Sequence, residues 1–290
     1  MERMIWSRSY WQLTFAFLSL SSAEAQVAPL GRVSFDYRAP TLLVQASVNG
    51  SKPLWFAFDT GTSTCLIDIG VARRLGIRPE PRPGRTGPAF ARARALAVGR
   101  AEARDLELVL RDLSPLSQRL GVEVAGILGI AWMEQFVFEI DYRARRLTLW
   151  LRTTELTPRA DQLPVPLEVR SPPGFTGATL FVPMTLESEH RCPAEIDTGA
   201  DTGVLGRPMA ERLGVTLKPM ASAAEGGLPR HTVGRVELGG RTFAAMPFVV
   251  DPRRSAANPY GQCVVGNELL KSFVVTIDIP RRRVFFRSLP

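Results

Sequence analysis

Short apolar or alternating runs, separated by turn residues, follow one another along most of the chain. The runs TLLVQASV (41–48) and KPLWFAF (52–58) flank Asn49-Gly50, a dipeptide typical of the tight turn of a β-hairpin. Further strands are predicted at 32–37, 95–98, 106–110, 137–141, 145–151, 178–186 and 192–197. Short helices are predicted only at 71–75, 131–136 and 208–213. Many short strands and little helix predict a mostly-β protein.

The pattern occurs twice. FAFDTGTSTCL (56–66) and AEIDTGADTGVL (194–205) each carry an apolar run into Asp-Thr-Gly, and the two aspartates, Asp59 and Asp197, lie 138 positions apart. Three further pairs recur at nearly the same interval: VARRLGI with MAERLGV, ILGIAWMEQF with VVGNELLKSF, and DYRARRLTLW with DIPRRRVFFR. The chain is therefore interpreted as a tandem duplication that forms two similar lobes.

The ends of the two lobes follow from composition. Residues 1–25 combine flanking arginines, an apolar run and Ala23-Glu24-Ala25, which predicts an export signal cleaved after Ala25 and a periplasmic or secreted protein. The apolar run is short for a bilayer span, and an uncleaved anchor is the alternative. The first lobe is placed at 26–151, a polar, proline-marked linker at 152–164, and the second lobe at 165–290. No stable membrane insertion is expected after cleavage.

The net charge of the protein gives little information about its binding partners. The formal net charge is +8, and only three of the 36 basic residues are lysines. The arginines are scattered and no nucleic-acid-binding motif accompanies them, so no nucleic-acid partner is expected. Anionic envelope polymers are a weaker alternative to a solvated basic surface.

The three cysteines, Cys65, Cys192 and Cys263, make an odd count. One disulfide with a thiol left over fits an oxidising compartment, but the sequence does not say which pair would form. Buried thiols without a catalytic role are the preferred interpretation.

Two Asp-Thr-Gly turns at matching positions predict a pair of carboxyl groups. Each aspartate would sit on a loop whose backbone N–H groups bond the carboxylate, and an approximate twofold axis would bring the loops face to face. Two carboxyls so close share one proton, because ionising both is costly. One can then take a proton from water while the other polarises a carbonyl, and this chemistry needs neither metal nor cofactor.

These features resemble the pepsin and retropepsin-like aspartic proteases, and most of all bacterial single-chain proteins with two retropepsin-like domains. The resemblance covers residues 31–288 and includes both aspartates, Leu128-Gly129, Val265-Gly266 and both closing hairpins. It implies two similar acid-protease β-barrel lobes with short helices, related by a pseudo-twofold axis, with the active site between them. It also implies an aspartic endopeptidase that is a monomer, pairs its lobes within one chain and takes a peptide or protein substrate.

The resemblance also assigns the site. Asp59 and Asp197 match the catalytic pair, and Ser63 and Asp201 match positions that receive substrate. Thr60, Gly61, Thr62, Thr198 and Gly199 match loop-support positions.

The chain departs from the family pattern in two places. Pepsins carry a tyrosine in the flap of the first lobe, but the corresponding stretch 79–98 contains no tyrosine, only Phe90. Gly226-Gly227, in a candidate hairpin at 226–238, fits a retropepsin-like flap better. Thr62 offers a hydroxyl beside Asp59, whereas Ala200 offers none beside Asp197. A missing donor raises a carboxyl pKa, so we expect a working range displaced toward mildly acidic or neutral pH.

Other chemistries find little support. His190 and His231 stand alone without a zinc-binding motif, and Ser63 has no His or Lys partner in a nucleophile motif. The alternative functional class is a peptide-binding or sensor protein that keeps the fold and does not cleave. Lobes that pair between chains remain a further alternative.

Overall fold

The computed structural model describes residues 27–81, 87–171, 177–215, 228–254 and 261–289. The predicted signal at 1–25 and the glycines Gly226-Gly227 lie outside the described residues. Within these ranges no helix has the length and apolar character needed to cross a membrane.

The first half of the chain consists of strands with three short helices between them. In order they are β1 (Gly31–Ser34), β2 (Asp36–Arg38), β3 (Thr41–Val48), β4 (Leu54–Phe58), β5 (Cys65–Asp68), α1 (Ile69–Arg74), β6 (Pro79–Glu80), β7 (Phe90–Val98), β8 (Ala101–Arg111), α2 (Ser114–Leu120), β9 (Val124–Leu128), α3 (Ile130–Met133), β10 (Phe136–Asp141) and β11 (Arg146–Leu151).

The second half repeats this plan. Its elements are β12 (Leu163–Pro166), β13 (Glu168–Arg170), β14 (Thr179–Leu186), β15 (His190–Ile196), β16 (Gly203–Gly206), α4 (Arg207–Arg212), β17 (Arg230–Leu238), β18 (Arg241–Asp251), β19 (Cys263–Val265), α5 (Asn267–Leu270), β20 (Phe273–Asp278) and β21 (Arg283–Ser288).

Each half closes a six-stranded barrel. In the first, the order β3-β4-β9-β5-β8-β7 returns to β3 through a β3–β7 pairing. In the second, β14-β15-β19-β16-β18-β17 returns to β14 through a β14–β17 pairing. The two rings use corresponding strands in the same order, so the predicted duplication and the predicted mostly-β, two-lobed fold are confirmed.

A third sheet joins the two barrels. Its order is β1-β11-β10-β20-β21-β12, so three strands come from each side of the chain. The central strands β10 and β20 pair antiparallel, with Phe138 opposite Ile277, and all their residues are buried. The two lobes of one chain therefore pair with each other.

Aromatic rings fill the core behind the first Asp-Thr-Gly loop. Phe58 packs edge-on against Trp132 and Phe138, with ring centroids 6.5 and 5.4 Å apart. The indole N–H of Trp132 donates to the Leu96 carbonyl at 2.9 Å, so this buried polar group is satisfied. The strand that carries Asp59 thus ends on a close-packed base.

Two predicted elements differ from the observed ones, and one observed helix has no predicted counterpart. The single strand expected at 32–37 is divided at Phe35, because β1 pairs with β11 whereas β2 pairs with β3. The hairpin turn expected within 226–238 lies instead at Gly239-Gly240, between β17 and β18. The helix α2 was not predicted, although a proline opens it and Gly121 ends it.

Two threonines connect the barrels at the Asp-Thr-Gly loops. The backbone N–H of Thr60 donates to the Thr198 hydroxyl oxygen, and that of Thr198 donates to the Thr60 hydroxyl oxygen, both at 3.0 Å. Each hydroxyl in turn donates across the interface, Thr60 to the Ile196 carbonyl and Thr198 to the Phe58 carbonyl, both at 2.8 Å. Both threonines are fully enclosed, so these bonds form away from water.

The cysteines form one disulfide and one thiol. Cys192 and Cys263, on the adjacent strands β15 and β19, are bonded, and Cys65 is a buried thiol. The preference for unpaired thiols was therefore wrong for Cys192 and Cys263. Burial raises the pKa of the Cys65 thiol to about 12, which keeps it protonated and unreactive at neutral pH.

Alkylation with iodoacetamide followed by mass spectrometry tests this assignment. We expect no labelled cysteine in the native protein, one after unfolding without reductant, and three after unfolding with reductant. Labelling of Cys65 in the native protein would contradict its enclosed position.

Substitution of Thr198 tests the connection between the lobes. Thr198→Val removes the hydroxyl that accepts from the Thr60 N–H and donates to the Phe58 carbonyl, so we expect the free energy of unfolding to fall by about 2–4 kcal/mol. Thr198→Ser keeps the hydroxyl and serves as the matched control in the same urea titration. A smaller loss in Thr198→Val than in Thr198→Ser would show that the methyl group, rather than the hydrogen bonds, carries the effect.

Candidate active site

Asp59 lies directly after β4, on a loop fixed from both sides. Its backbone N–H donates to the Leu128 carbonyl at 3.0 Å. The Gly61 N–H donates to its Oδ1 at 2.9 Å, and the Thr62 hydroxyl donates to its Oδ2 at 2.8 Å. Both carboxyl oxygens therefore have a donor within their own loop.

Asp197 occupies the corresponding position after β15. Its backbone N–H donates to the Val265 carbonyl at 3.0 Å. The N–H groups of Gly199 and Ala200 donate to the same oxygen, Oδ1, at 2.8 and 3.1 Å. Because Ala200 has no hydroxyl, the second carboxyl lacks the side-chain donor that Thr62 gives the first.

Each loop is also held from behind by the start of a short helix. The N–H groups of Ile130 and Asn267 donate to the carbonyls of Thr62 and Ala200, both at 2.9 Å. A side chain at Gly129 would overlap the Thr62 and Thr64 carbonyls. The apolar-apolar-glycine elements of the sequence therefore fix the loops by close backbone approach.

The two carboxyl groups meet at the junction of the lobes. Asp59 and Asp197 are within hydrogen-bonding reach of one another. A Cβ built on Gly199 would lie 2.9 Å from the carboxyl atoms of Asp59, and one built on Gly61 would overlap the carboxyl of Asp197. Each loop glycine thus makes room for the opposite aspartate, while both aspartates stay partly exposed and open to solvent.

Burial raises the pKa of both carboxyls, and for Asp197 the negative charge of Asp59 raises it further. For Asp197, desolvation and then the negative charges of Asp59 and Glu195 raise the pKa to about 8, against the Gly199 N–H and the positive charge of Arg254. For Asp59, desolvation raises the pKa, and the Thr62 hydroxyl and Gly61 N–H oppose it. The pair can therefore retain a shared proton at neutral pH.

The other predicted residues occupy different levels of the site. Thr60 and Thr198 lie beneath the aspartates as the lobe connection. Ser63 is buried and its carbonyl accepts from the Ala131 N–H at 3.0 Å, whereas Asp201 is exposed. Asp201 therefore offers its side chain to solvent and Ser63 offers little surface.

Tyr37 was not predicted as a site residue. Burial raises the pKa of its phenol, and the negative charge of Asp201 raises it further. Tyr37 belongs to the first lobe and Asp201 to the second, so the two lobes approach each other here as well. In the sequence alone, a tyrosine within a β-strand gives no sign that it will lie near a residue of the other lobe.

A second unpredicted contact supports the Asp197 loop. The Tyr142 hydroxyl donates to Asn267 Oδ1 at 2.6 Å. The Asn267 amide donates to the carbonyls of Thr198 and Pro40, at 2.8 and 2.5 Å. One amide thus ties two turns of the first lobe to the second Asp-Thr-Gly loop. The available signal was the polar Asn267 at the repeat position where the first half has Ile130.

No group of three or more His, Cys, Asp or Glu residues in the described ranges is arranged to hold a metal ion. The expected flap stretch is described in part, and there Phe90 opens β7, a strand paired with β8.

Comparison with known proteins agrees with this geometry. Residues 44–132 match the family model described as Aspartyl protease. The chain is similar in structure to the aspartic proteinase from Irpex lacteus, with a TM-score of 0.52 and 11% sequence identity, over 89% of this chain and 97% of that one. No curated protein matches the sequence. The first lobe is therefore similar to the aspartyl protease family, and the structural match shows that most of the chain has the fold of a pepsin-like aspartic proteinase.

Proposed function

We propose that the protein is an aspartic-type endopeptidase that hydrolyses peptide bonds with a water held between Asp59 and Asp197. The observation that carries the proposal is the contact between the two carboxyls, each bonded by its own loop and approached by the opposite loop glycine. Carboxyl groups with a raised pKa at a partly exposed position are suited to general acid–base catalysis.

The reaction needs one proton on the pair. The ionised carboxyl takes a proton from the water as the water oxygen attacks the scissile carbonyl carbon. The protonated carboxyl donates its proton to the carbonyl oxygen. As the C–N bond of the tetrahedral intermediate breaks, the carboxyl that took a proton from water gives it to the leaving amine. The other carboxyl takes a proton back from a hydroxyl of the intermediate, and the pair returns to its starting state. The titration belongs to the pair, so neither aspartate is assigned as acid or base.

The substrate is proposed to be an extended peptide or protein segment that binds between the lobes through strand-like pairing. Asp201, exposed and opposite Tyr37, is the better placed of the two candidate substrate contacts. Ser63 is the other proposed substrate contact, because it lies in the same loop as Asp59. Thr60, Gly61, Thr62, Thr198 and Gly199 are the proposed loop supports.

Export is proposed on separate grounds. The Cys192–Cys263 disulfide is typical of proteins from oxidising compartments. It supports a periplasmic or secreted protein whose residues 1–25 are the export signal. The proposed boundary between the lobes is the segment 152–164, whose last two residues belong to β12.

Substitution of either aspartate tests the proposed function directly. Asp59→Asn and Asp197→Asn should each lower the cleavage of an unfolded protein library by about 10²–10⁴-fold, because neither variant can share a proton between two carboxyls. Asp105→Asn is the control, since Asp105 is exposed and asparagine tolerates its positive φ of 54°. A statine-type inhibitor should block the wild-type activity.

The non-cleaving alternative gives a different result. If the folded wild-type protein binds peptides and leaves them intact, and neither aspartate variant changes this behaviour, the endopeptidase proposal is wrong.

Ala200→Thr tests the source of the raised titration. By analogy with Thr62, a hydroxyl at this position would donate to the ionised Asp197 and lower its pKa, so both limbs of the pH–rate profile should move to lower pH by about half a unit. Ala200→Val has the same shape without the hydroxyl and controls for packing. An acidic limb that stays in place in Ala200→Thr would show that the missing donor does not set the working range.

A further inference from the structure

A third carboxyl group lies buried near the dyad. Glu195 is two residues before Asp197 on β15, and only 1% of its surface is exposed. It stands between Phe181 of β14 and Val264 of β19 in the barrel wall. A buried carboxylate is costly unless a cation compensates it, so the position needs a partner.

Arg254 supplies that partner. Its Nη1 lies 2.8 Å from Glu195 Oε2, and the guanidinium side chain is 20% exposed. The backbone is fixed as well: the Arg254 N–H donates to the Asp251 carbonyl at 3.1 Å, and its own carbonyl lies 2.5 Å from where a Cβ on Gly206 would stand. The ion pair therefore ties the end of β18 to the strand that carries Asp197.

The first lobe has no such pair at the equivalent place. Ala57, two residues before Asp59, occupies the position of Glu195 and is 3% exposed. It packs in a small apolar cluster with Leu43, Leu113, Leu120 and Val124, which α2 helps to cover. The same barrel position is thus covered by apolar side chains in one lobe and by an ion pair in the other.

The two charges of the pair act on the dyad in opposite senses. The negative charge of Glu195 raises the pKa of Asp197, and the positive charge of Arg254 lowers it. Burial raises the pKa of Glu195 to about 7 against the positive charge of Arg254, so its negative charge is present mainly above that pH. Among the other neighbours, Asp59 and the phenol of Tyr142 face Asp197 from the first lobe. Beside Glu195, the guanidinium of Arg170 lies 4.0 Å from the Phe181 ring centroid and is itself paired with Glu168.

We propose that Glu195 and Arg254 are positioning residues of the Asp59–Asp197 pair: a buried charge pair, present in the second lobe only, that sets the pH range in which the two aspartates share their proton. This inference rests on the proposed function for its effect on turnover. The geometric basis is the buried position of Glu195 on the strand of Asp197 and its direct bond to a backbone-fixed Arg254.

Opposite substitutions should have opposite effects. Glu195→Gln removes the negative charge that Glu195 carries above its raised pKa of about 7 and leaves the positive charge of Arg254, so the higher of the two dyad titrations should move to lower pH, by about half to one unit. Arg254→Gln removes the positive charge, so the titrations should move to higher pH by a similar amount. The double variant Glu195→Gln/Arg254→Gln should fall between the two.

The experiment follows the ¹³C carboxyl resonances of Asp59 and Asp197 through a pH titration, and the pH–rate profile in parallel. Arg253→Gln is the matched control. It also removes one positive charge, but from the exposed side chain of the preceding residue, which is bonded to Asp251. We expect this control to leave the dyad titration in place. If Arg254→Gln does not fold, Glu195→Gln decides alone, since it keeps the shape and hydrogen-bonding capacity of the side chain.

Shifts of the same sign in both single variants, or no shift in folded Glu195→Gln, would overturn the proposal. Because the resonances report on the dyad without turnover, the two proposals fail separately. Opposite shifts in a protein that cleaves nothing would reject the endopeptidase and keep the pair. Normal cleavage with unmoved resonances would reject the positioning role of the charge pair and keep the endopeptidase.

Discussion

The hydrogen bonds between Thr60 and Thr198 are the constraint on which the site depends. They cross the lobe junction in both directions, and each is completed by a bond to a carbonyl of the opposite lobe. All four hydrogen bonds are shielded from water, so breaking them would leave several buried polar atoms unpaired. The aspartates next to these threonines are consequently held together although like charges there repel.

The duplication supplies the symmetry, and the differences between the halves supply the electrostatics. Both loops bond their carboxyl through a glycine N–H, but only Asp59 also receives a hydroxyl. The second lobe adds Glu195 and Arg254 where the first has an apolar cluster. Asp197 is therefore the carboxyl with the less favourable surroundings for a charge, and its pKa is raised to about 8.

Sequence predicted those parts of the fold that depend on local pattern and repetition. The interval between Asp59 and Asp197 gave the two lobes, and Asn49-Gly50 lies at the β3–β4 turn as predicted. The division at Phe35 was beyond this reasoning, because the alternation continues through it and only the tertiary structure assigns β1 and β2 to different sheets. The helix α2 had recognisable end signals that the apolar pattern obscured.

The candidate site could likewise be predicted only where its residues are adjacent in sequence. The aspartates, threonines and loop glycines are adjacent in sequence and lie together in the structure. Glu195 and Arg254 are 59 positions apart, and Tyr142 and Asn267 are 125 apart, so their contacts arise from barrel closure and lobe pairing. A polar residue within an otherwise apolar repeat position was the only local sign of either contact.

Neutron diffraction from crystals grown near pH 6 tests the central claim most directly, because it locates both the carboxyl oxygens and the proton. We expect one oxygen of Asp59 and one of Asp197 to lie about 2.5–3.2 Å apart with a single hydrogen shared by the pair. Carboxyls more than about 6 Å apart, or two aspartates that are both ionised, would contradict the account.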